Sequence, residues 1–249
     1  MPSSRLPRLI PASIVLCTLT CFSIAQETGE PQQKGITQYA RGVRIDWTRP
    51  RVEVKGRVVL REGLLELFAC SPRTREHESI VVVEAQPLRI FQALGLAGLT
   101  SGRPITLDRD SGTWRPATGD TVRIEVSWRY DGKQHTADIG TWMTDVSTER
   151  HPPPGIWRFA GSARDKDGAF MADVDGTVIC VVDFPSALIA IGELKSADNS
   201  ALWVRADTGR IPPIGTPVTL LFSPVKPGAK PPEKSTVDRS PRTGNSEHP

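Results

Sequence analysis

The chain has 249 residues, 38% of them hydrophobic and 24% charged, which excludes wholesale disorder, collagen-like repeats and a multi-span membrane protein. Its formal net charge is +3, of which Arg5 and Arg8 supply two in the N-terminal segment discussed next, leaving about +1. That is too near neutral to suggest nucleic acid or an anionic surface as a partner.

Arg5 and Arg8 make a positive start, residues 9–24 are apolar apart from small polar side chains, and Ser23-Ile24-Ala25 places small residues where a signal peptidase reads. The expectation is a signal peptide over residues 1–25, cleaved after Ala25, and work in the periplasm or outside the cell. Lipid attachment at Cys21 fits less well, because Leu19 stands one place late. No later run approaches the ~18 apolar residues that span a bilayer, so no transmembrane segment is expected in the mature chain. Cleavage removes Cys17 and Cys21 and leaves Cys70 and Cys180. An oxidising envelope permits a disulfide between them; the reading adopted is two buried, unpaired thiols.

Residues 26–41 are polar and aperiodic and read as a flexible leader, and residues 225–249, rich in Pro and Lys, as a disordered tail. A single domain over 42–224 remains. Within it, strands are predicted at 52–54, 57–60, 64–69 and 79–83. A further strand over 121–128 carries Val122, Ile124, Val126 and Trp128 on one face, and Asp131-Gly132 closes a hairpin after it. Strands follow at 156–160, 169–174 and 177–182, with Asp175-Gly176 as a second tight hairpin turn. Two helices are predicted, each started by a proline: Pro87 before 88–96 and Pro185 before 186–191. The fold class is α+β, with a predominantly antiparallel sheet and two short Pro-initiated helices.

The stretch Ser79 to Pro87 lines up with Thr177 to Pro185, Phe68 to Arg73 with Phe159 to Arg164, and Gly119 to Val122 with Gly215 to Val218. These matches suggest an internal duplication with halves 42–129 and 130–224 packed as one domain, although β-hairpins that end in Pro-started helices would also look alike. The cleft between halves would then be the place for a ligand.

The strongest chemical cluster is Glu66, Cys70, His77 and Glu78. If 64–70 and 77–83 form an antiparallel hairpin, Cys70 faces His77 and Glu66 shares their side, while Glu78 points away. Thiolate and imidazole so placed suit zinc or copper, with Glu66 or an aspartate as a further ligand; a core cysteine beside a hydrogen-bonded turn histidine is the plainer reading. Ser162 lacks a Gly-x-Ser-x-Gly frame, and neither His135 nor His151 has an orienting partner in the sequence. Asp165, Asp167, Asp173 and Asp175 offer hard oxygen ligands suited to calcium, but without an EF-hand frame turn chemistry accounts for them. The six tryptophans (Trp47, Trp114, Trp128, Trp142, Trp157 and Trp203) are read as core.

Gly63-Leu-Leu-Glu66, Cys70, His77-Glu-Ser79, Ala85-Gln-Pro87 and Ala93-Leu94 with Gly98 resemble the first half of the YdjY-like exported bacterial proteins. Trp157-Arg-Phe-Ala-Gly-Ser162, Ala172-Asp173 and Asp183-Phe-Pro-Ser-Ala-Leu188 resemble their second half. The resemblance covers roughly residues 43–224. It implies a bacterial envelope protein and carries no established activity. It also implies interest in Glu66, Cys70, His77, Glu78 and Ser79, together with Gly161, Ser162 and Asp173. Cys180 lies outside the pattern, which speaks against a disulfide as a family device. The leading expectation is a non-catalytic envelope module that binds a small ligand or partner. The alternative is a metal-binding protein or metal-dependent enzyme centred on Cys70 and His77.

Overall fold

A computed structural model describes residues 35–225. In chain order the elements are β1 (Ile36–Ala40), β2 (Val43–Asp46), β3 (Arg51–Val58), β4 (Leu67–Cys70), β5 (Ser79–Val83), α1 (Pro87–Leu96), β6 (Thr106–Asp108) and β7 (Thr113–Arg115). They continue with β8 (Val122–Tyr130), β9 (Lys133–Asp138), β10 (Met143–Asp145), β11 (Trp157–Phe159), α2 (Met171–Asp175), β12 (Thr177–Cys180), β13 (Ile189–Ile191), β14 (Val204–Ala206) and β15 (Pro217–Pro224).

Eleven strands make one mixed sheet in the order β11-β13-β12-β4-β5-β3-β15-β8-β9, with β2 on β3 and β1 on β2; β10 pairs β14 and β6 pairs β7 separately. The β-rich α+β class therefore holds. The period-two pattern of β8 does what the sequence implies: Val122, Ile124 and Val126 are fully buried. Asp131 (φ 48°) and Gly132 (φ 71°) close the two-residue hairpin to β9. α1 starts with Pro87 in its first turn and buries Ile90, Ala93 and Leu94. It ends when Gly98 (φ 92°) turns left-handed, with Leu99 N–H on Leu94 O and Gly98 N–H on Gly95 O, the paired bonds of a Schellman stop.

Four expectations are corrected. Residues 36–40, assigned to the leader, form β1, which pairs with β2 across the Arg41-Gly42 turn; its polar composition hid a strand whose stability comes from its neighbour. Residues 169–174, read as a strand, lead into α2, because left-handed Gly176 (φ 74°) ends a helix here instead of turning a hairpin. Residues 186–191 are not a helix. Their end is β13, fully buried between β11 and β12, a place where Ile189 and Ile191 gain more from sheet packing than one isolated helical turn offers. Finally, β4 and β5 are parallel, not a hairpin.

Residues 1–25, expected to be a signal peptide, residues 26–34 of the expected leader and the expected tail beyond 225 lie outside the described residues. As for the duplication, β11 and β12, the counterparts assigned to β4 and β5, are separated by β13. A different correspondence exists at the sheet centre. β4 and β5 are parallel across the connection 71–78, β12 and β13 are parallel across the connection 181–188, and β4 meets β12 antiparallel between them.

Apolar side chains lie on both faces of this centre. The larger core gathers Phe68, Ile80, Ile90, Leu94, Trp142, Trp157 and Phe222. The smaller one is built of Leu67, Cys70, Val82, Cys180 and the alanines 117, 160, 187 and 190. Burial on both faces explains why 64–69 and 79–83 read as continuous apolar runs.

Candidate functional site

The parallel pairing of β4 with β5 sets Leu67 against Ser79, Ala69 against Val81 and Cys70 against Val82. Residues 71–78 must therefore carry the chain back along β4, with fewer residues than the dozen or so such a connection usually takes. Local hydrogen bonds make the short return feasible. Thr74 Oγ1 donates to Ser71 O at 2.6 Å, Arg73 N–H to Glu76 Oε1 at 2.8 Å, and Ser79 Oγ to Arg75 O at 2.7 Å. Ser71 N–H donates to Gly176 O at 2.9 Å. A Cβ on Gly176 would lie 2.2 Å from Thr74 Oγ1, so α2 can end against this return only with glycine.

Arg75 is the centre of the return. Its Nη1 donates to Glu66 Oε2 and to Glu78 Oε1, each at 2.8 Å, and its guanidinium lies 4.5 Å from the centre of the Phe184 ring. Burial, and then the charge of Glu78, push the Glu66 carboxyl above its usual range. Burial opposes the Arg75 charge, but the Glu78 hydrogen bond and the charges of Glu78 and Glu66 outweigh it and hold the guanidinium more firmly protonated.

The predicted metal set does not assemble in the predicted way. Cys70 faces Val82, whereas His77 sits in a 3₁₀ turn (Glu76–Glu78) with its side chain 78% exposed and Nε2 3.6 Å from Glu78 Oε2. The physical reason is the parallel register: a hairpin would set Cys70 opposite His77, a return crossover sets it opposite a residue five further on. Glu66 and Glu78, expected on opposite faces, instead meet on Arg75. Among the described residues no group of three His, Cys, Asp or Glu side chains is placed to hold an ion.

Cys70 and Cys180 are free and fully buried, and burial raises both thiols, that of Cys180 strongly. Cys70 pairs with Thr177 and Cys180 with Leu67, so the two cysteines sit three residues apart along an antiparallel pair. That is roughly 10 Å of strand, beyond the ~7 Å limit for a disulfide.

The second-half candidates turn out to organise α1 and α2. Gly161 (φ 85°) and Ser162 (φ 61°) are consecutive left-handed residues, and a Cβ on Gly161 would come within 2.8 Å of Ser101 Cβ. Ser162 Oγ accepts the Ala172 amide at 2.9 Å, and Asp173 Oδ1 accepts the Leu88 amide at 2.8 Å. Asp165 Oδ1 accepts the amides of Asp167 and Ala169, the local turn bonding expected of aspartate.

The YdjY domain family model matches residues 43–223. The chain belongs to this family. No curated protein and no solved structure matches it.

One feature of this YdjY domain escaped the sequence reading. β6 and β7 form a separate hairpin that pairs Leu107 with Trp114, both about half exposed (47% and 52%). A cleft of about 510 Å³ lies at its base, lined by Arg103, Thr106, Leu107, Asp108, Arg115, Pro116 and Thr118. The available signal was Asp108-Arg-Asp-Ser-Gly112, in which Asp108 Oδ1 accepts the amides of Asp110 and Ser111. The tryptophans also divide: Trp142 and Trp157 are buried as expected, whereas Trp47 and Trp114 are about half exposed. Among the described residues no helix is long and apolar enough to cross a membrane.

Proposed function

We propose that the chain is an exported envelope protein whose YdjY domain binds a small ligand or partner and performs no covalent chemistry. The observation that carries this reading is the sharing of one Arg75 nitrogen by Glu66 and Glu78, each at 2.8 Å. A general acid or base must reach a substrate proton, and a thiol nucleophile must be accessible as thiolate. Here the paired carboxylates brace a chain return, and the Cys70 thiol is sealed beneath it with its pKa raised. Ser162 and Asp173 are likewise engaged by backbone amides. Residues 1–25, with their charged start, apolar run and small residues before Ala25, support the export half of the reading.

The test is expression of the full chain in a bacterial host, without a metal-binding tag, followed by fractionation, intact mass and metal analysis. The expected product lies outside the cytoplasm, starts at Gln26 and has the same metal content as its Cys70→Ala/His77→Ala variant. An uncleaved cytoplasmic chain overturns export. About one equivalent of zinc or copper, lost in the variant, overturns the non-catalytic reading in favour of a metal centre.

A further inference from the structure

We infer that the cleft at the base of the β6–β7 hairpin is the ligand site, and that its ligand is a carboxylate on a small apolar body. This rests on the reading of the domain as a binding module.

The charges in the cleft argue for one anionic group. Arg115 donates to Asp108 Oδ2 through Nε at 3.2 Å and Nη2 at 2.7 Å, so these two neutralise each other. Arg103 makes no ion pair among the described residues, and it is the remaining lining charge. Thr118 Oγ1 accepts the Arg103 amide at 3.1 Å, which leaves the hydroxyl proton to donate. A guanidinium and a hydroxyl donor, on two residues that both line the cleft, match the acceptors of a carboxylate. Leu107 and Pro116 add apolar surface for the remainder of the ligand. A volume of about 510 Å³ is ordinary for a small-molecule site.

The walls of the cleft are fixed before any ligand arrives. Gly102 N–H donates to Phe159 O at 2.9 Å, and Thr118 N–H donates to Arg103 O at 2.8 Å. A Cβ on Gly102 would lie 2.3 Å from the Thr118 carbonyl carbon, and one on Gly119 (φ 119°) would lie 2.2 Å from Phe159 O. Two glycines thus let both legs of the hairpin press backbone to backbone against each other and onto β11. Such preorganisation lowers the ordering cost of binding.

The test uses the mature chain, residues 26–249, labelled for amide NMR and titrated with hexanoate, with hexanamide as the neutral control. Acetyl-alanyl-leucine as free acid and as amide distinguishes a chain terminus from a free acid as the source of the carboxylate, by which acid binds more tightly. The expected result is saturable shifts of amides in residues 103–118 with the acids and not the amides. Arg103→Gln, an exposed substitution whose spectrum should otherwise stay folded, should weaken binding about tenfold or more. Shifts that map elsewhere overturn the cleft but leave the module reading standing. Acid and amide binding alike, an unchanged affinity in Arg103→Gln, or no saturable shift with any probe overturns the cleft assignment. The metal analysis above judges the module reading independently.

Discussion

Asp173 Oδ1 accepts the amide of Leu88 at 2.8 Å, so a carboxylate carried by α2 closes the open first turn of α1. The residue in the cap position of α1, Gln86, makes no side-chain cap bond of its own. A helix start leaves unpaired amides and a partial positive charge, and Asp173 answers both. Asp173→Ala should cost about 1 kcal/mol in chemical denaturation. Asp173→Asn, which keeps an acceptor, should lose only the charge contribution of about 0.3–1 kcal/mol. Equal losses in the two variants would show that the hydrogen bond is not what matters.

Arg75→Met should destabilise the domain by about 1–3 kcal/mol, because it leaves Glu66, 8% exposed, beside Glu78 with no cation between them. Adding Glu66→Gln and Glu78→Gln should recover part of that loss by removing the repulsion. A triple variant no more stable than Arg75→Met would instead assign the role of Arg75 to its packing over Phe184.

The Glu66 carboxyl gives a pH signature. Burial and Glu78 raise its folded pKa above the unfolded value, so over that interval the native state binds the extra proton. Its stabilising contribution is therefore full below the usual glutamate pKa and is lost as pH rises through the raised one. The advantage of wild type over Glu66→Gln, read as melting temperature from pH to pH, should shrink across this window. A difference that grows with pH would reverse the sign and refute the assignment.

Thiol labelling of a chain of residues 26–249 should find Cys70 and Cys180 protected in the native state and both reactive after denaturation, since both are fully buried and free. Fewer than two thiols in the denatured, unreduced chain would mean that the register of β4 against β12 is wrong.

Gly119→Ala should cost at least the ~1–3 kcal/mol of a forced backbone conformation, with the contact at Phe159 O adding to it. Gly112 (φ 65°) has open space where its Cβ would be, so Gly112→Ala should show only the ~1–2 kcal/mol left-handed penalty. Similar losses for both would remove the argument that the hairpin base is held by close backbone contact.

Much of the local structure was legible. The alternation in Val122, Ile124 and Val126, the Asp131-Gly132 turn and the Pro87 start are short-range signals, and each maps to the element it implies. So is the family, whose motifs span both ends of the matched region. The candidate site was legible only as a set of residues. Glu66, Glu78 and Ser79 do meet in one place, but around Arg75, a lone arginine in a polar loop that carries no periodic signal.

What the sequence determined by itself was therefore the β-rich class of fold, the Asp131-Gly132 turn, the Pro87 helix start and the residues worth attention. All of these depend on neighbours within a few positions along the chain. Strand direction and register were decided only by tertiary structure. A run such as 79–83 is equally apolar whether its partner runs with it or against it, and the choice rests on how residues 71–78 fold over Cys70. That choice took His77 out to solvent, shut Cys70 in, and brought two acids onto one guanidinium.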